Sequence, residues 1–373
     1  MKKMKKISIK PILAKESLVK KYIKIIDKNR YYSNFGPLYF KVKKKLKEIL
    51  KIPQKELVLT SSCDASIYAC CLLLRQTTKK KIIVVPSFSF SSNPQSIIRA
   101  GFIPFFVDID EKNFFLQEEK INLVFKKHKK DIAAIMYVSP IGKPLNINYL
   151  NSIKKKYKTE IIYDAADTFI NLGKDLNKTN FLITGSFHPT KNLPANESGF
   201  IICNKQNEEE LKKIINFGQE EIKNLRYIKT IGFNGKFSEY DAAILLANIS
   251  KIKNLKKKLK INNSYFSNLN SENTNSKTIQ GFGKNWFSTK LCIFCKNKSF
   301  KKIHFEMLKF NIQIFSPWGL IPMHKQKQFK FYKKTSMTNT DKIVKNFFAI
   351  PLNYDIKLKE IKRIKEALKK ICY

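Results

Sequence analysis

The chain is short of several things, and each shortage removes a class of protein. No run of about 18 apolar residues occurs, so no membrane-spanning helix is expected. The basic opening Met1-Lys2-Lys3-Met4-Lys5-Lys6 is followed by more charge at Lys10 and Lys15. No apolar export segment can form there, and the cytoplasm is the expected location. Cysteines are few and odd in number, seven in 373 residues, which suits a reducing compartment better than a disulfide scaffold. The Cys292-Ile293-Phe294-Cys295 pair has no second pair nearby, and in a strand its two thiols point to opposite faces, so no metal site is expected. Arginine is nearly missing: of 72 basic residues only Arg30, Arg75, Arg99, Arg226 and Arg363 are arginine.

That last shortage decides how the net charge of +43 is read. Nucleic-acid readers lean on arginine for bidentate contacts to bases and phosphates. Here lysine is spread along the chain with abundant Asn, Ile and Phe, the composition an AT-rich genome encodes. No specific nucleic-acid partner is expected, only weak contacts that salt would abolish. What is present is a core-forming composition, 43% hydrophobic with 29 Phe and 15 Tyr, which excludes disorder. The length fits two domains.

Apolar strands alternate with helical segments. Leu57–Thr60, Lys81–Val85, Pro104–Val107, Ala133–Val138, Glu160–Tyr163, Leu182–Ser186 and Gly199–Cys203 read as strands. Helical spacing marks residues 40–50, Ile67–Arg75, Gln95–Ala100 and Tyr149–Lys156, then one long helix over Ala242–Leu259. The Asn/Ser-rich stretch Asn262–Ser276 reads as a loop and domain boundary. A strand around Lys290–Phe294 and a last helix over Leu358–Ile371 follow. The alternation argues for an α/β layer fold with a largely parallel sheet, whose functional residues gather at the carboxyl ends of strands.

Four strand ends carry chemistry. Ser61-Ser62-Cys63-Asp64 enters a helix and could cradle an anion, or be an ordinary cap. Pro86–Ser92 places Phe88 and Phe90 among hydroxyls, either as a stacking ring or as core. Asp164 closes an apolar strand, where a carboxylate needs a cationic partner unless it caps the next helix. Ser186 ends a strand, and Lys191 follows five residues later; in an apolar, positive pocket its amine would be more acidic than usual and ready to attack a carbonyl. In this order the four supply a phosphate cradle, a face-on ring, a pyridinium partner and an aldehyde-capturing amine, the requirements of pyridoxal 5′-phosphate. His188 lies close to Lys191, while His324 and Trp318 read as packing or as the rim of a substrate mouth.

At this point the chain resembles the DegT/DnrJ-type aminotransferases. The matching segments run in order: Asn34–Pro37, Pro86–Ser92, Ala100–Pro104 with Val107–Asp110, Gly142–Pro144, Asp164–Ala166, Ser186–Lys191 with Asn196–Gly199, Gly232–Ala243, and Ile350–Leu352. The resemblance implies an α/β fold of the fold type I aminotransferases, with a mostly parallel mixed sheet flanked by helices in a large domain (residues 1–250) and a smaller C-terminal α+β domain (251–373). It implies pyridoxal 5′-phosphate as cofactor. It also implies transfer of an amino group from an amino acid, glutamate for preference, to a nucleotide-linked keto-sugar for cell-surface polysaccharide or glycan synthesis.

By motif position Lys191 and Asp164 are the catalytic pair, and Phe90 stacks on the cofactor ring. Ser62, Cys63, Asp64 and Ser186 hold its phosphate, and Asp167 sits near its ring hydroxyl. Lys236 reaches from the second subunit of a homodimer with composite sites. Three departures stand out: Ser-Cys-Asp in place of the family's Ser-Gly-Thr, Asp167 where Gln or His is common, and Asn196 and Ser198 where Gly is usual. Two rival readings are a sugar dehydratase using the amine form of the cofactor, whose family members carry His in place of the lysine, and a non-catalytic regulator that kept the fold.

Overall fold

A computed structural model of the chain describes residues 5–269, 275–296 and 298–372. Strands β1 (Glu56–Thr60), β2 (Ile82–Pro86), β3 (Ile103–Val107), β4 (Ile132–Val138), β5 (Glu160–Asp164), β6 (Leu182–Ser186) and β7 (Gly199–Cys203) form one sheet in the order β1-β7-β6-β5-β4-β2-β3. The five strands β2 to β6 are parallel, and β7 runs antiparallel to both of its neighbours. Because β7 is reversed, its first residue lies level with the last residues beside it: Gly199 pairs with both Thr60 and Ser186. Asp164 lies between Val138 and Thr184 on the same rim.

The sheet is covered on both faces, as continuous apolar strands require. Alternate residues divide between two cores: Leu57 and Leu59 belong to the one that also takes in residues of helices α2 (Pro37–Leu50), α5 (Glu118–His128) and α6 (Ile147–Tyr157), while Val58 belongs to the one that takes in α3 (Cys63–Thr77) and α4 (Ser92–Arg99). Helix α3 is apolar nearly all round and lies against α4 and α7 (Lys205–Ile214), so Cys70, Cys71 and Leu72–Leu74 are all buried. Helix α1 (Glu16–Asn29) packs against α8 (Glu239–Ile249). A short hairpin, β8 (Gln219–Ile222) with β9 (Leu225–Ile228), stands off the body with its β9 residues exposed.

The expected long helix over Ala242–Leu259 is two helices, α8 and α9 (Ile252–Ser264). The break comes where the Ser250 hydroxyl donates to the Ala247 carbonyl at 2.7 Å and the Lys251 N–H to that of Asn248 at 3.0 Å, tightening the last turn. The loop expected from Asn262 onward begins later, since Asn262 and Asn263 belong to α9 and are buried. Asn263 exchanges two hydrogen bonds with Ser288, donating to its carbonyl at 3.0 Å and accepting from its N–H at 2.7 Å. Residues 270–274 of that stretch lie outside the described residues.

A second sheet contains β10 (Ser276–Thr278), β11 (Lys290–Cys295) and β12 (Phe347–Pro351). Helices α10 (Phe300–Lys309), α11 (Thr338–Asn346) and α12 (Leu358–Cys372) cover it, with Leu291, Ile293, Phe348, Ile364 and Leu368 in its core. Residues 7–10 lie across this unit. Ile7 bridges Ile312, Asn353 donates to the Ser8 carbonyl at 2.9 Å, and the Lys10 N–H donates to the Asn353 side chain at 3.3 Å. This strap carries Ile9 to the rim of the first sheet. Among the described residues no helix is long and apolar enough to cross a membrane.

Candidate active site

The carboxyl rim of the first sheet opens into a cavity of about 390 Å3. Ser62, Cys63, Asp64, Phe90, Asp164, Asp167, Ser186 and Lys191 all line it, together with His188, Glu197, Lys290 and an apolar wall of Ile9, Phe315, Pro317 and Trp318. Eight of the nine residues expected at the site are therefore brought together. The ninth, Lys236, lies outside the cavity: its backbone bridges Thr60, and its ammonium sits 4.5 Å from the centre of the Phe217 ring.

The cradle is built by capping and by close backbone approach. The Ser62 hydroxyl accepts from the Ala65 N–H at 3.0 Å, which fixes the first turn of α3 and turns the N–H groups of Cys63 and Asp64 outward. A side chain at position 199 would lie 2.6 Å from the Ser62 carbonyl and 2.7 Å from the Cys63 nitrogen, so glycine is required where β7 meets this turn. Asp64 does not turn its charge toward the cradle; Arg99 takes its carboxylate at 2.7 Å, with the guanidinium over the Tyr68 ring. The turn thus keeps the positive end of the helix available to an anion despite its acidic residue. The Ser186 hydroxyl accepts from the His188 N–H at 3.1 Å. Phe88 belongs to the core, against Trp318 and Phe114, whereas Phe90 is 56% exposed on the cavity side.

Asp164 is buried at the end of β5, and burial pushes its carboxyl up from the usual range. Asn93 of α4 donates to one oxygen at 2.9 Å and the Ala166 N–H to the other at 3.0 Å, which offsets part of that shift. Asn93 was not legible in the sequence beyond an Asn-Pro pair at a helix start. A cationic ring nitrogen in the cavity would stabilise the charged carboxylate, which the two neutral donors do only in part.

The loop carrying Lys191 is tied from three sides. The Phe187 N–H donates to the Ser198 carbonyl at 2.8 Å, Asn192 donates to the Asp167 carbonyl at 2.8 Å, and Asn248 of α8 donates to the Pro194 carbonyl at 2.8 Å. The amine expected to be unusually acidic is the reverse in this structure. Burial lowers its proton affinity, but Asp167, whose carboxylate is 3.1 Å away, with smaller contributions from Cys63 and Asp164, holds Lys191 above the ordinary lysine range. The same Asp167 oxygen accepts from Lys290, 2.9 Å away at the start of β11. Burial would raise the Asp167 carboxyl, yet the two ammonium groups hold it well below the usual range. Lys290 escaped the sequence reading because one lysine among so many carries no signal. Its only mark is a charge directly ahead of an apolar strand. His188 and Glu197 form a further pair at 3.2 Å, and burial lowers the imidazole. His324 is buried beneath the rim, bonded to the Ser87 hydroxyl at 2.7 Å, a packing role.

Comparison with known proteins gives the family and the fold. The chain belongs to the DegT/DnrJ/EryC1/StrS aminotransferase family, whose sequence profile matches residues 14–369. It is 33% identical over 228 residues to the dTDP-4-amino-4,6-dideoxy-D-glucose transaminase of Shigella dysenteriae, a match that covers 60% of this chain and 58% of that protein. It is 32% identical over 171 residues to the 3-oxo-glucose-6-phosphate:glutamate aminotransferase of Bacillus subtilis, covering 43% of this chain and 36% of that protein. The matched stretches therefore span less than two thirds of these curated relatives. The fold extends over the whole molecule: the structure of Helicobacter pylori PseC, an aminotransferase involved in the biosynthesis of pseudoaminic acid, superposes with a TM-score of 0.84 at 18% identity, covering 99% of each chain. The architecture is that of the fold type I aminotransferases.

Proposed function

We propose that this protein is a pyridoxal-phosphate aminotransferase that moves an amino group from an amino-acid donor, glutamate for preference, to a nucleotide-linked keto-sugar, for surface polysaccharide or glycan synthesis. One observation carries the reading: the buried Asp164 and the amine of Lys191 line the same cavity as the helix-capped turn at Ser62. The residues suit the cofactor's parts. Ser62, Ser186 and the N–H groups of Cys63 and Asp64 would hold the phosphate, Phe90 would cover one ring face, Asp164 would meet the ring nitrogen and Asp167 the ring hydroxyl. When bound, the cofactor supplies an aldehyde for covalent capture of amines and a cationic ring that takes up carbanion charge.

With the cofactor held there, the Lys191 amine would be the group that moves the proton, from a loop fixed by Asn192 and Asn248. The presence of an amine at position 191 counts against the dehydratase reading. The names of the Shigella and Helicobacter proteins support a nucleotide-sugar substrate. The positive surface would steer such anionic substrates toward the rim.

We also assign a homodimer with composite sites. Lys236 lies outside its own cavity, and the hairpin beside it exposes Leu225 and Ile228 at 60% and 68% of their surface, apolar area that a second copy of the chain would cover. A division near residue 250 into a large and a small domain fits the second sheet, whose strands all follow residue 275. One experiment tests site and dimer together. Lys191→Ala should abolish both transamination and borohydride-trapped cofactor. Mixed with Lys236→Ala chains, it should recover activity in about a quarter of the sites, those with neither defect. A trapped cofactor in Lys191→Ala would assign capture to another lysine. No recovery despite subunit exchange would make the sites self-contained.

A further inference from the structure

Two buried amines share one oxygen at the floor of the cavity. Lys191 reaches Asp167 Oδ1 at 3.1 Å from the loop after β6, and Lys290 reaches the same atom at 2.9 Å from the second sheet. Both side chains are largely withdrawn from water, at 18% and 9% exposure. A carboxylate in that position binds a lone lysine tightly and keeps it protonated, which suits an ion pair and not an amine that must attack a carbonyl. A second ammonium on the same oxygen draws off part of that attraction and repels the first.

We infer that Lys290 is a positioning residue that competes with Lys191 for Asp167 and so keeps the Lys191 amine able to give up its proton. Asp167 and Lys290 then form a matched pair. The acidic residue stands where the family commonly has a neutral one, and Lys290 neutralises the charge that this departure brings into the site. The other groups facing Lys191 are Asp164 and the Cys63 thiol, both of which favour its protonated form, while His188 and Lys290 act against each other's charge. Lys290 is thus the cationic counterweight in a surround that otherwise holds the proton. The repulsion between the two amines falls on Lys290, which burial and the Lys191 ammonium lower against the pull of Asp167, while Lys191 stays above the ordinary range.

The inference rests on Lys191 as the aldehyde-capturing amine, and the test separates the two ideas. Cofactor-free protein is mixed with pyridoxal phosphate and the rate of covalent capture is followed by absorbance across pH. In that step the neutral amine adds to the aldehyde carbon, a C=N bond forms and one water leaves, with no oxidant or reductant. Lys290→Met should move the rate profile to higher pH, slowing capture at neutral pH about tenfold or more, the effect of one unit in amine proton affinity. Lys290→Arg keeps the charge and should follow the parent profile, and Asp167→Asn with Lys290→Met should return the profile toward it. Thermal melts confirm that each variant is folded. An unmoved or lower profile for Lys290→Met, or a Lys290→Arg profile matching it, overturns the inference while leaving Lys191 in its role. Capture that persists in Lys191→Ala overturns the reading beneath it.

Discussion

Two lysine–carboxylate networks occupy opposite ends of the first sheet, and they are built to different ends. At the start of β1, Glu56 accepts from Lys43 at 2.7 Å and Lys47 at 3.0 Å, and Glu208 of α7 accepts from Lys43 and from Lys212, the latter at 2.9 Å. Lys212 also pairs with Glu209 at 2.9 Å, so three ammonium groups face three carboxylates. At the carboxyl rim, one oxygen of Asp167 is in ion-pair contact with both Lys191 and Lys290. The first network is balanced within itself and ties α2, β1 and α7 together. The second sets two ammonium groups on one carboxylate oxygen, inside a cavity. The same residue types thus tie elements together at the base of the sheet and line the proposed site at its rim.

Breaking the rim should cost function and little stability. Asp164→Asn is expected to lower turnover about 10²–10³-fold, the usual loss when one preorganised electrostatic partner is removed, with an unchanged melting temperature. Steady-state rates within a few-fold of the parent would reduce Asp164 to a cap for the Ala166 turn.

Breaking the base should do the opposite. The carboxyl of Glu56 is pulled down to about 2; burial raises it, but hydrogen bonds from Lys43 and Lys47 lower it further. A depressed folded value means that the stabilisation is complete above the unfolded carboxyl range near pH 4.5 and fades as pH falls toward 2. Glu56→Gln should therefore cost about 1 kcal/mol at neutral pH, the scale of a pair that water partly screens, and remove part of the acid sensitivity, with catalysis intact. Denaturant titrations at pH 7 and pH 3 read this directly.

The smallest effect sharpens the contrast from between the two networks. Asp241, in the first turn of α8, is pushed up to about 6 by burial, against a hydrogen bond from Asn196. A raised folded value favours the protonated form, so stability declines as pH rises from about 4 to about 6 and levels off above it. Asp241→Asn should stabilise the protein by less than about 1 kcal/mol at pH 7 and flatten that interval. A destabilised variant at pH 7 would mean that the charge is needed at the helix start.

The strands were the most legible part of the chain, because apolar runs closed by Pro, Gly or Asp leave little choice. Leu182–Ser186 and Gly199–Cys203 have the bounds that the sequence suggests. Helices were harder. The lysine-rich α1 and α10 hide their apolar stripes behind charge, and the break at Ser250 carries neither Gly nor Pro. The Asn-rich end of α9 reads as a loop until Ser288, distant in sequence, supplies the partner for Asn263. The site divides in the same way. Residues within one motif, such as Ser62, Asp164 and Lys191, announce themselves through strand ends. Asn93 and Lys290 matter only because tertiary packing brings them to Asp164 and Asp167, and no local pattern marks them.

The strap at the beginning of the chain has a practical meaning. Ile9 belongs to the cavity wall, and its neighbours are hydrogen-bonded to Asn353 near the other end of the sequence. Residues 7–10 are therefore part of the cavity's surroundings and not a neutral handle. A purification tag fused there, or a protease trimming there, alters the lining of the pocket as surely as a substitution inside it, and comparisons between preparations need the same leading residues.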